Sequence, residues 1–334
     1  MALVIPVFIP HRGCPHHCLF CNQEKISGCV RADHAPPAIT GIIDEWLARS
    51  PGHAEVQVAF FGGSFTCLPA GEQEAMLSVV QPYLDDRRVD CIRLSTRPDC
   101  IDTEVCRFLK AFRVGVVELG VQSLSDHVLQ QNRRGHDASQ CRLALALLQE
   151  AGIKVGVQLM PGLPGETRKS FLQGIDEVIR LRPEFVRLYP VVVVKESGLE
   201  QLYLQNRYRP LSLNAAIALT ARAYRKLTEA GIKVIRMGLQ PSPLLTANLV
   251  AGPFHPAFGE LVLARLWLKK MRDQLARLGP GENMCFHVSH RDRSAVMGMR
   301  RQNYRRLEEL GFAGRFTIVS DKNIERGSIH YVVC

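Results

Sequence analysis

The chain has 334 residues, of which 46% are hydrophobic and 22% are charged, and its formal net charge at pH 7 is +10. This composition is typical of a folded globular protein and excludes a disordered, collagen-like or coiled-coil chain. No apolar run reaches the roughly 20 residues that a membrane-spanning helix needs. The apolar start, Met1 to Pro10, has no basic leader and no cleavage site. We therefore expect a cytoplasmic protein that does not contact a membrane.

Short β-branched segments alternate with helical segments along the first two thirds of the chain. The candidate strands are residues 4–9, 56–61, 91–95, 114–120, 154–160, 185–194 and 232–236. This alternation is typical of βα units on a parallel sheet. Because the units follow one another without an obvious reversal, we predict an α/β fold, a partial (β/α)6 TIM-like barrel. Chemistry in barrels lies on the loops at the carboxyl ends of the strands.

Two of the intervening helices have clear end signals. Asp137 is a predicted N-cap, Gln140 can complete a capping box with it, and Gly152 follows the helix. Apolar residues at helical spacing predict a second helix over residues 167–181, which Pro183 ends.

The pattern changes after Arg236. We predict a barrel over residues 1–236, a Pro-rich connection with a helix over 237–282, and a small basic α/β domain over 283–334. Within this appendage we expect a strand, a helix over residues 294–310 and two further strands.

The chain contains eleven cysteines, four of them close to the amino terminus. Without an export signal, reduced thiols are expected rather than a disulfide framework. We interpret the scattered cysteines as small buried hydrophobes, and they are Cys67, Cys91, Cys100, Cys106, Cys141, Cys285 and Cys334.

Cys14, Cys18 and Cys21 form a C-x3-C-x2-C motif on the loop after the first strand. Three adjacent thiolates suit an iron–sulfur cluster or zinc. A four-iron cluster on three cysteines leaves one iron open. Zinc needs a fourth ligand, and the candidates are His11, His16, His17 and Cys29. A thioredoxin-like pair of Cys18 and Cys21 leaves Cys14 unexplained.

The motif places Phe20 before Cys21, and Gly62-Gly63-Ser64 follows the second strand. With these features the chain resembles the radical S-adenosylmethionine (SAM) superfamily. The resemblance implies that Cys14, Cys18 and Cys21 hold a [4Fe-4S] cluster and that SAM chelates the open iron. It further implies reductive cleavage of SAM to a 5′-deoxyadenosyl radical, with an electron donor such as a flavodoxin or ferredoxin.

Further motifs resemble the radical domain of the catalytic subunit of Elongator, which modifies the wobble uridine of tRNA. They are FGGSF (61–65), STRPD (95–99), VELGVQS (117–123), RGH (134–136), LMPGLP (159–164) and LYP (188–190). The matches cover about residues 55–210.

The resemblance also implies roles for single residues. It assigns cofactor binding to Phe20, Gly62, Gly63, Ser64, Glu118, Gln122 and Gln158, and catalytic roles to Arg97, Glu118 and Lys195. A structural alternative exists for two of them: Arg97 could pair with Asp99, and Glu118 could belong to a buried ion pair without a ligand.

The chain departs from the Elongator subunit in two respects. Its cysteine spacing is more compact, and residues 284–334 contain no Gly-rich acyl-CoA loop, so acetyl-CoA is not expected as a second substrate. From residue 283 onward, nine basic residues stand against five acidic ones. Arg301 and Arg305 are one turn apart on the predicted helix, where they could meet RNA phosphates or form a solvated face.

We therefore predict a radical SAM enzyme that acts on a nucleic-acid base, with a tRNA uridine as the first choice. Two alternatives stay open. One is a porphyrin substrate, as in oxygen-independent coproporphyrinogen oxidase, and the other is a zinc-bearing RNA-binding module without catalysis.

Overall fold

The computed structural model describes residues 2–9, 13–22, 25, 36–50 and 52–333. The strands are β1 (Leu3–Phe8), β2 (Val56–Phe61), β3 (Cys91–Thr96), β4 (Val114–Gln122), β5 (Lys154–Leu159), β6 (Phe185–Leu188), β7 (Val193–Val194), β8 (Lys233–Met237), β9 (Leu249–Ala251), β10 (Met284–Ser289), β11 (Phe316–Asp321) and β12 (Ile329–Val333). The helices are α1 (Pro36–Arg49), α2 (Ala70–Asp85), α3 (Thr103–Ala111), α4 (Asp126–Gln131), α5 (Ala138–Glu150), α6 (Arg168–Leu181), α7 (Gly198–Leu204), α8 (Leu213–Glu229), α9 (Pro243–Asn248), α10 (Phe258–Leu275), α11 (Arg293–Met297) and α12 (Gln302–Leu307).

The main sheet has seven parallel strands in the order β1-β2-β3-β4-β5-β6-β8. Each strand lies beside the next one of the sheet along the chain, and β1 and β8 form the two edges. The predicted partial barrel is confirmed, and its seven strands overlap the seven segments predicted as strands, one more than a (β/α)6 barrel has. All carboxyl ends of these strands share one edge, where the site described below lies.

Side chains alternate between the two faces of this sheet, as strand geometry requires. One face is apolar and packs under the helices, with Phe60, Leu94 and Leu119 as examples. The other face, on the inside of the curl, is polar and includes Arg93 and Glu118, which are both buried.

The predicted helix signals are confirmed. The Asp137 side chain accepts a hydrogen bond from the backbone N–H of Gln140, and the Gln140 side-chain oxygen accepts one from the backbone N–H of Asp137. Thr167 caps α6 in the same way, and that helix ends at Arg182, which has a φ of 49°.

The predicted strand over residues 185–194 is wrong, because it forms two short strands. Pro190 has no N–H group, so it cannot continue a parallel ladder. After it the chain leaves the main sheet, and β7 pairs antiparallel with β9. The sequence pattern missed β9 and α9, which lie in the Pro-rich connection.

The last part of the chain forms a three-stranded sheet in the order β11-β10-β12. The predicted helix over residues 294–310 is wrong, because α11 ends at Gly298, which has a φ of 69°. A 3-10 turn, Met299–Arg301, then separates it from α12. Helix α10 packs against both this unit and α8, through two separate apolar clusters. The domain limits stay a prediction.

One expectation about the cysteines is also wrong, because Cys67 and Cys100 form a disulfide. Each ends a 3-10 helix that follows one of the neighbouring strands β2 and β3, so their Cα atoms lie 5.5 Å apart, which suits a disulfide. Cys106 and Cys141 are buried and free, as expected. Burial raises the pKa of Cys141 to about 12. Cys29 and Cys334 lie outside the described residues.

Among the described helices, none combines the length and the apolar character needed to span a bilayer.

Candidate functional site

The three cysteines of the amino-terminal motif lie in the segment 13–22, here called the cysteine loop, which follows β1. Because β1 pairs with β2 along its whole length, this loop starts beside the turn at Gly62-Gly63-Ser64. The Sγ atom of Cys14 lies 3.1 Å from the hydroxyl of Ser64. A Cβ atom at Gly13 would come within 2.2 Å of the Ser64 carbonyl oxygen. The structure therefore places Cys14, a predicted metal ligand, beside Ser64, a predicted SAM residue.

Backbone groups from distant parts of the chain hold the cysteine loop. The N–H of Leu19 donates to the carbonyl of Asn132 at 3.2 Å, and the carbonyl of Leu19 accepts from Leu199 at 2.7 Å. The Asn22 amide donates to the carbonyl of Lys195 at 3.1 Å. These bonds fix the loop at the carboxyl edge of the sheet.

Arg134 contacts one of the cysteine sulfurs. Its Nη1 atom lies 3.3 Å from the Sγ atom of Cys18, and its Nη2 atom donates to the carbonyl of Gly120. The Nε atom is buried and has no partner in the described part of the chain.

Arg97 is 1% exposed and lies next to Arg134. Its guanidinium binds both carboxylate oxygens of Asp99, at 2.9 and 3.0 Å, and also donates to the carbonyl of Arg134. The structural alternative for Arg97, a pair with Asp99, is therefore present.

Two histidines surround the same carboxylate. His136 Nδ1 lies 3.6 Å from one oxygen of Asp99, and His16 Nε2 lies 3.8 Å from the other. Burial by itself would raise the pKa of Asp99, but contacts with His136 and Arg97 outweigh it and hold the pKa well below its usual range. Burial also lowers the pKa of His136, and Asp99 opposes this only in part. Asp99 thus connects the cysteine loop, through His16, to Arg97.

Glu118 is buried on the inside of the sheet between two arginines. Its oxygens lie 2.5 Å from Arg93 and 2.8 Å from Arg187. The second structural alternative, a buried ion pair, is thus also present. Closer to the carboxyl edge, the amide of Gln158 donates to Gln122 at 3.1 Å. Gln122 has a φ of 68°, so β4 ends with a left-handed residue there.

The other predicted residues lie around the cysteine loop. Gly62 has a φ of 94°, which favours glycine. Phe20 is partly buried and packs against an apolar cluster that includes Leu163 and Leu199. Lys195 is exposed, and its amine donates to the carbonyl of Ala247. The backbone carbonyl of Lys195 accepts the hydrogen bond from Asn22 of the cysteine loop.

Sequence reasoning assigned no role to Arg134, Gly135 or His136, although it noted them as a motif. Gly135 has a φ of 76°, and a Cβ atom there would lie 2.2 Å from the His16 ring. The motif was visible in the sequence, but its role could not be inferred from it. That role depends on the contact between Cys18 and Arg134, which are 116 residues apart in the chain.

The donor set of the cysteine loop suits an iron–sulfur cluster. It offers three thiols on one short segment, with the Arg134 charge available to offset anionic sulfur. Across the residues that the structure describes, no three His, Cys, Asp or Glu side chains converge on one metal position. Of the fourth ligands considered for zinc, His11 and Cys29 lie outside these residues, and His16 contacts Asp99.

Comparison with known proteins decides the family. The family model of the radical SAM superfamily matches residues 8–178, which is just over half of the chain, and that of the radical SAM C-terminal domain matches residues 183–268. The chain belongs to the radical SAM superfamily. It is a radical SAM enzyme with a parallel half-barrel.

Several curated proteins are similar in sequence to this radical SAM enzyme. A tRNA uridine(34) acetyltransferase of Methanocaldococcus infernus is 26% identical over 327 residues, covering 86% of this chain and 59% of that protein. Elongator complex protein 3 of Saccharomyces cerevisiae is 26% identical over 314 residues, covering 80% and 55%. The chain spans between 48% and 66% of the length of its first curated relatives.

Two solved structures share the fold. The archaeal Methanocaldococcus infernus Elp3 has a TM-score of 0.63 at 20% identity, covering 81% of this chain and 63% of that one. Coproporphyrinogen III oxidase from Escherichia coli has a TM-score of 0.53 at 20% identity, covering 80% and 58%. At this identity the likeness shows the fold alone.

Proposed function

We propose that the enzyme holds a [4Fe-4S] cluster on Cys14, Cys18 and Cys21 and uses it to cleave SAM, producing a radical that acts on a uridine base of tRNA. The observation that supports this most is the contact between the cysteine loop and the Gly62–Ser64 turn. When bound, the cluster supplies the electron that breaks the sulfonium bond. We expect that electron from a donor such as a flavodoxin or ferredoxin, in the cytoplasm.

In this proposal the residues around the loop bind and orient SAM. The Gly62–Ser64 turn offers backbone and hydroxyl groups to the amino group, and Arg134, which contacts the sulfur of Cys18, offers a positive charge to the carboxylate. Gln122 and Gln158 present amides that suit the ribose hydroxyls. Glu118 and Lys195 stay candidates for substrate contact. Arg97 is better explained as a positioning residue, since Asp99 and the Arg134 carbonyl already engage it.

The names of the relatives support tRNA as substrate, because three of them are tRNA uridine(34) acetyltransferases. Since the chain matches only part of those proteins, acetyl transfer is not part of this proposal. The likeness to coproporphyrinogen III oxidase concerns the fold and adds no support for a porphyrin.

Anaerobic reconstitution tests the radical chemistry. We expect about four irons and four sulfides per chain, and 5′-deoxyadenosine when dithionite and SAM are added. Cys18→Ala should abolish the product, because one cluster ligand is lost. Cys285→Ala is the matched control, since Cys285 is a free cysteine on β10, in the three-stranded sheet. Undiminished 5′-deoxyadenosine from Cys18→Ala would refute the cluster assignment.

Mass spectrometry of tRNA nucleosides tests the substrate. A strain without the gene should lack one modified uridine, and the wild-type gene should restore it. A nucleoside profile that is identical with and without the gene contradicts the tRNA proposal but leaves SAM cleavage intact.

A further inference from the structure

The turn between α11 and α12 has an unusual backbone. Arg300 has φ and ψ of 50° and 35°, and Arg301 has 62° and 28°. Of the described non-glycine residues with a positive φ, these are the only two that are adjacent in sequence. The left-handed conformation is unfavourable for such residues, and it persists only where the surrounding structure imposes it. Strain of this kind is typical of functional sites.

A buried asparagine next to this backbone holds the turn to the neighbouring helices. The Asn303 amide donates to the carbonyls of Ala264, Ala295 and Val296, at 2.8, 3.1 and 3.1 Å. A Cβ atom at Gly298 would lie 3.0 Å from the Asn303 side chain, so the start of the turn is packed tightly as well. The turn is therefore clamped to α10 and α11.

Arg305 does not point along a helix beside Arg301, as the sequence pattern predicted. Its guanidinium donates to the carbonyl of Arg300, so this hydrogen bond joins the side chain of Arg305 to the backbone of the turn. Arg305 is thus a structural part of the turn, and Arg300 and Arg301 are the residues that the turn presents.

The presented side chains are exposed cations. Within the part of the chain that the structure describes, neither Arg300 nor Arg301 has a carboxylate at ion-pair distance. The Arg301 guanidinium lies 4.8 Å from the centre of the Tyr304 ring. Tyr304 in turn lies 4.8 Å from Phe316, a buried residue of β11. Arg301 is therefore the outer member of a row of three side chains in contact, which ends at the buried ring of Phe316.

This arrangement suits nucleic acid better than an acidic protein. A guanidinium held on an aromatic ring offers a flat outer face to an unstacked base and N–H groups to a phosphate. An acidic protein surface would use only the charge. We propose that the Gly298–Tyr304 segment, here called the arginine turn, binds single-stranded RNA, with a base on Arg301 and a phosphate near Arg300. This inference rests on the proposed function and identifies a surface that contacts the tRNA.

Fluorescence anisotropy with an unmodified tRNA transcript and the full reconstituted enzyme tests the arginine turn. Arg301→Asn removes the guanidinium but suits a left-handed backbone, where asparagine is tolerated. We expect the Kd to rise at least fivefold and the slope of log Kd against log salt to fall by about 1. Arg301→Lys keeps the charge but loses the plane, so it should weaken binding while the salt slope stays near the wild-type value.

Arg272→Gln is the matched control, because Arg272 is also an exposed arginine next to this unit, on α10, and pairs with Asp273. It should bind tRNA like the wild type. Circular dichroism of each variant verifies the fold, and Arg300→Asn provides a second test of the turn.

The outcomes separate this inference from the proposed function. If the wild type does not bind tRNA, both fail. If the wild type binds and Arg301→Asn, Arg300→Asn and the control bind equally at every salt concentration, the arginine turn is refuted and the proposed function stands. If the variants lose binding to poly-glutamate but not to tRNA, the surface is for an acidic protein and the RNA inference is overturned.

Discussion

Gly135 sets how closely the segment 134–136 can approach the cysteine loop. Both its φ of 76° and the nearby His16 ring restrict this position to glycine. We predict that Gly135→Ala displaces His16, and with it the cysteine loop, because the new Cβ atom would overlap the ring. Reconstituted Gly135→Ala should retain less iron and sulfide than the wild type and produce less 5′-deoxyadenosine.

Gly231→Ala separates this contact from backbone strain. Gly231 has nearly the same φ, 78°, but a Cβ atom there meets nothing within 4 Å. Its substitution should cost only the left-handed strain, about 1–2 kcal/mol, and leave the iron content unchanged. Equal loss of iron in both variants would show that strain, and not the contact with His16, is responsible.

At the scale of single residues, sequence spacing predicted what is local. Cys14 and Ser64 lie close together as expected, because a short loop and two paired strands hold them. The partners of Arg97 and Glu118 were left open, since pairing depends on neighbouring strands. The contact of Arg134 with Cys18 could not be predicted, because tertiary packing alone creates it.

Among the elements, the loop after β5 contains a carboxylate with an altered pKa. Burial raises the pKa of Glu166 to about 8, although hydrogen bonds from Gly162, Leu163 and Ser123 oppose this. The folded protein therefore binds this proton more tightly than the unfolded chain does. The resulting stability is fully present below the unfolded pKa, near 4.5, and is lost as the pH rises through about 8.

Glu166→Gln mimics the neutral carboxyl and can still accept the hydrogen bond from Gly162. We predict that its free energy of unfolding matches the wild type at about pH 4, below the unfolded pKa, and exceeds it at about pH 8.5. Urea unfolding at both pH values measures the difference. The control is Glu184→Gln, because Glu184 is exposed and pairs with Lys233. A difference that is the same at both pH values contradicts the assigned pKa.

The disulfide joins two elements that support the site. Cys67 follows the turn of Ser64, and Cys100 follows Asp99, so the bond ties both segments together. For a sequence separation of 33 residues, loop-closure entropy predicts that Cys67→Ala with Cys100→Ala costs about 3–4 kcal/mol. Urea unfolding without reductant measures this. Dithiothreitol should lower the wild-type midpoint and leave the double variant unchanged. A wild-type midpoint that ignores dithiothreitol would mean that the bond is not formed.

Element prediction succeeded where capping and periodicity agreed. Helix α5 was predicted from Asp137, Gln140 and Gly152, and its capping box is present. Element prediction failed where a single residue interrupts an element although the hydrophobic pattern continues. Pro190 divides the strand predicted over 185–194, and Gly298 ends the helix predicted over 294–310. Neither effect changes hydrophobic periodicity, so the pattern alone could not show it.

In the molecule as a whole, α10 connects the barrel to the carboxyl-terminal sheet. Its first half, with Phe258 and Val262, packs against α8, and its second half, with Trp267 and Met271, packs into the cluster of β10 and α12. A continuous helix that belongs to two apolar clusters transmits unfolding from one to the other. We therefore expect the barrel and the carboxyl-terminal unit to unfold together.

The two tryptophans of the chain allow this to be tested. Trp46 lies on α1 and is 37% exposed, so Trp46→Phe is mild and leaves Trp267 as the only fluorophore of this type. In that background, Trp267 fluorescence and far-UV circular dichroism should give one shared unfolding midpoint. Adding Met271→Ala leaves a cavity at a fully buried position and should reduce the free energy of unfolding by about 2–5 kcal/mol. Both midpoints should therefore fall together. Lys269→Ala on the exposed side of α10 should change neither. If Met271→Ala lowers the fluorescence midpoint while most of the dichroism change stays at the original midpoint, the carboxyl-terminal unit unfolds independently and α10 does not couple the two.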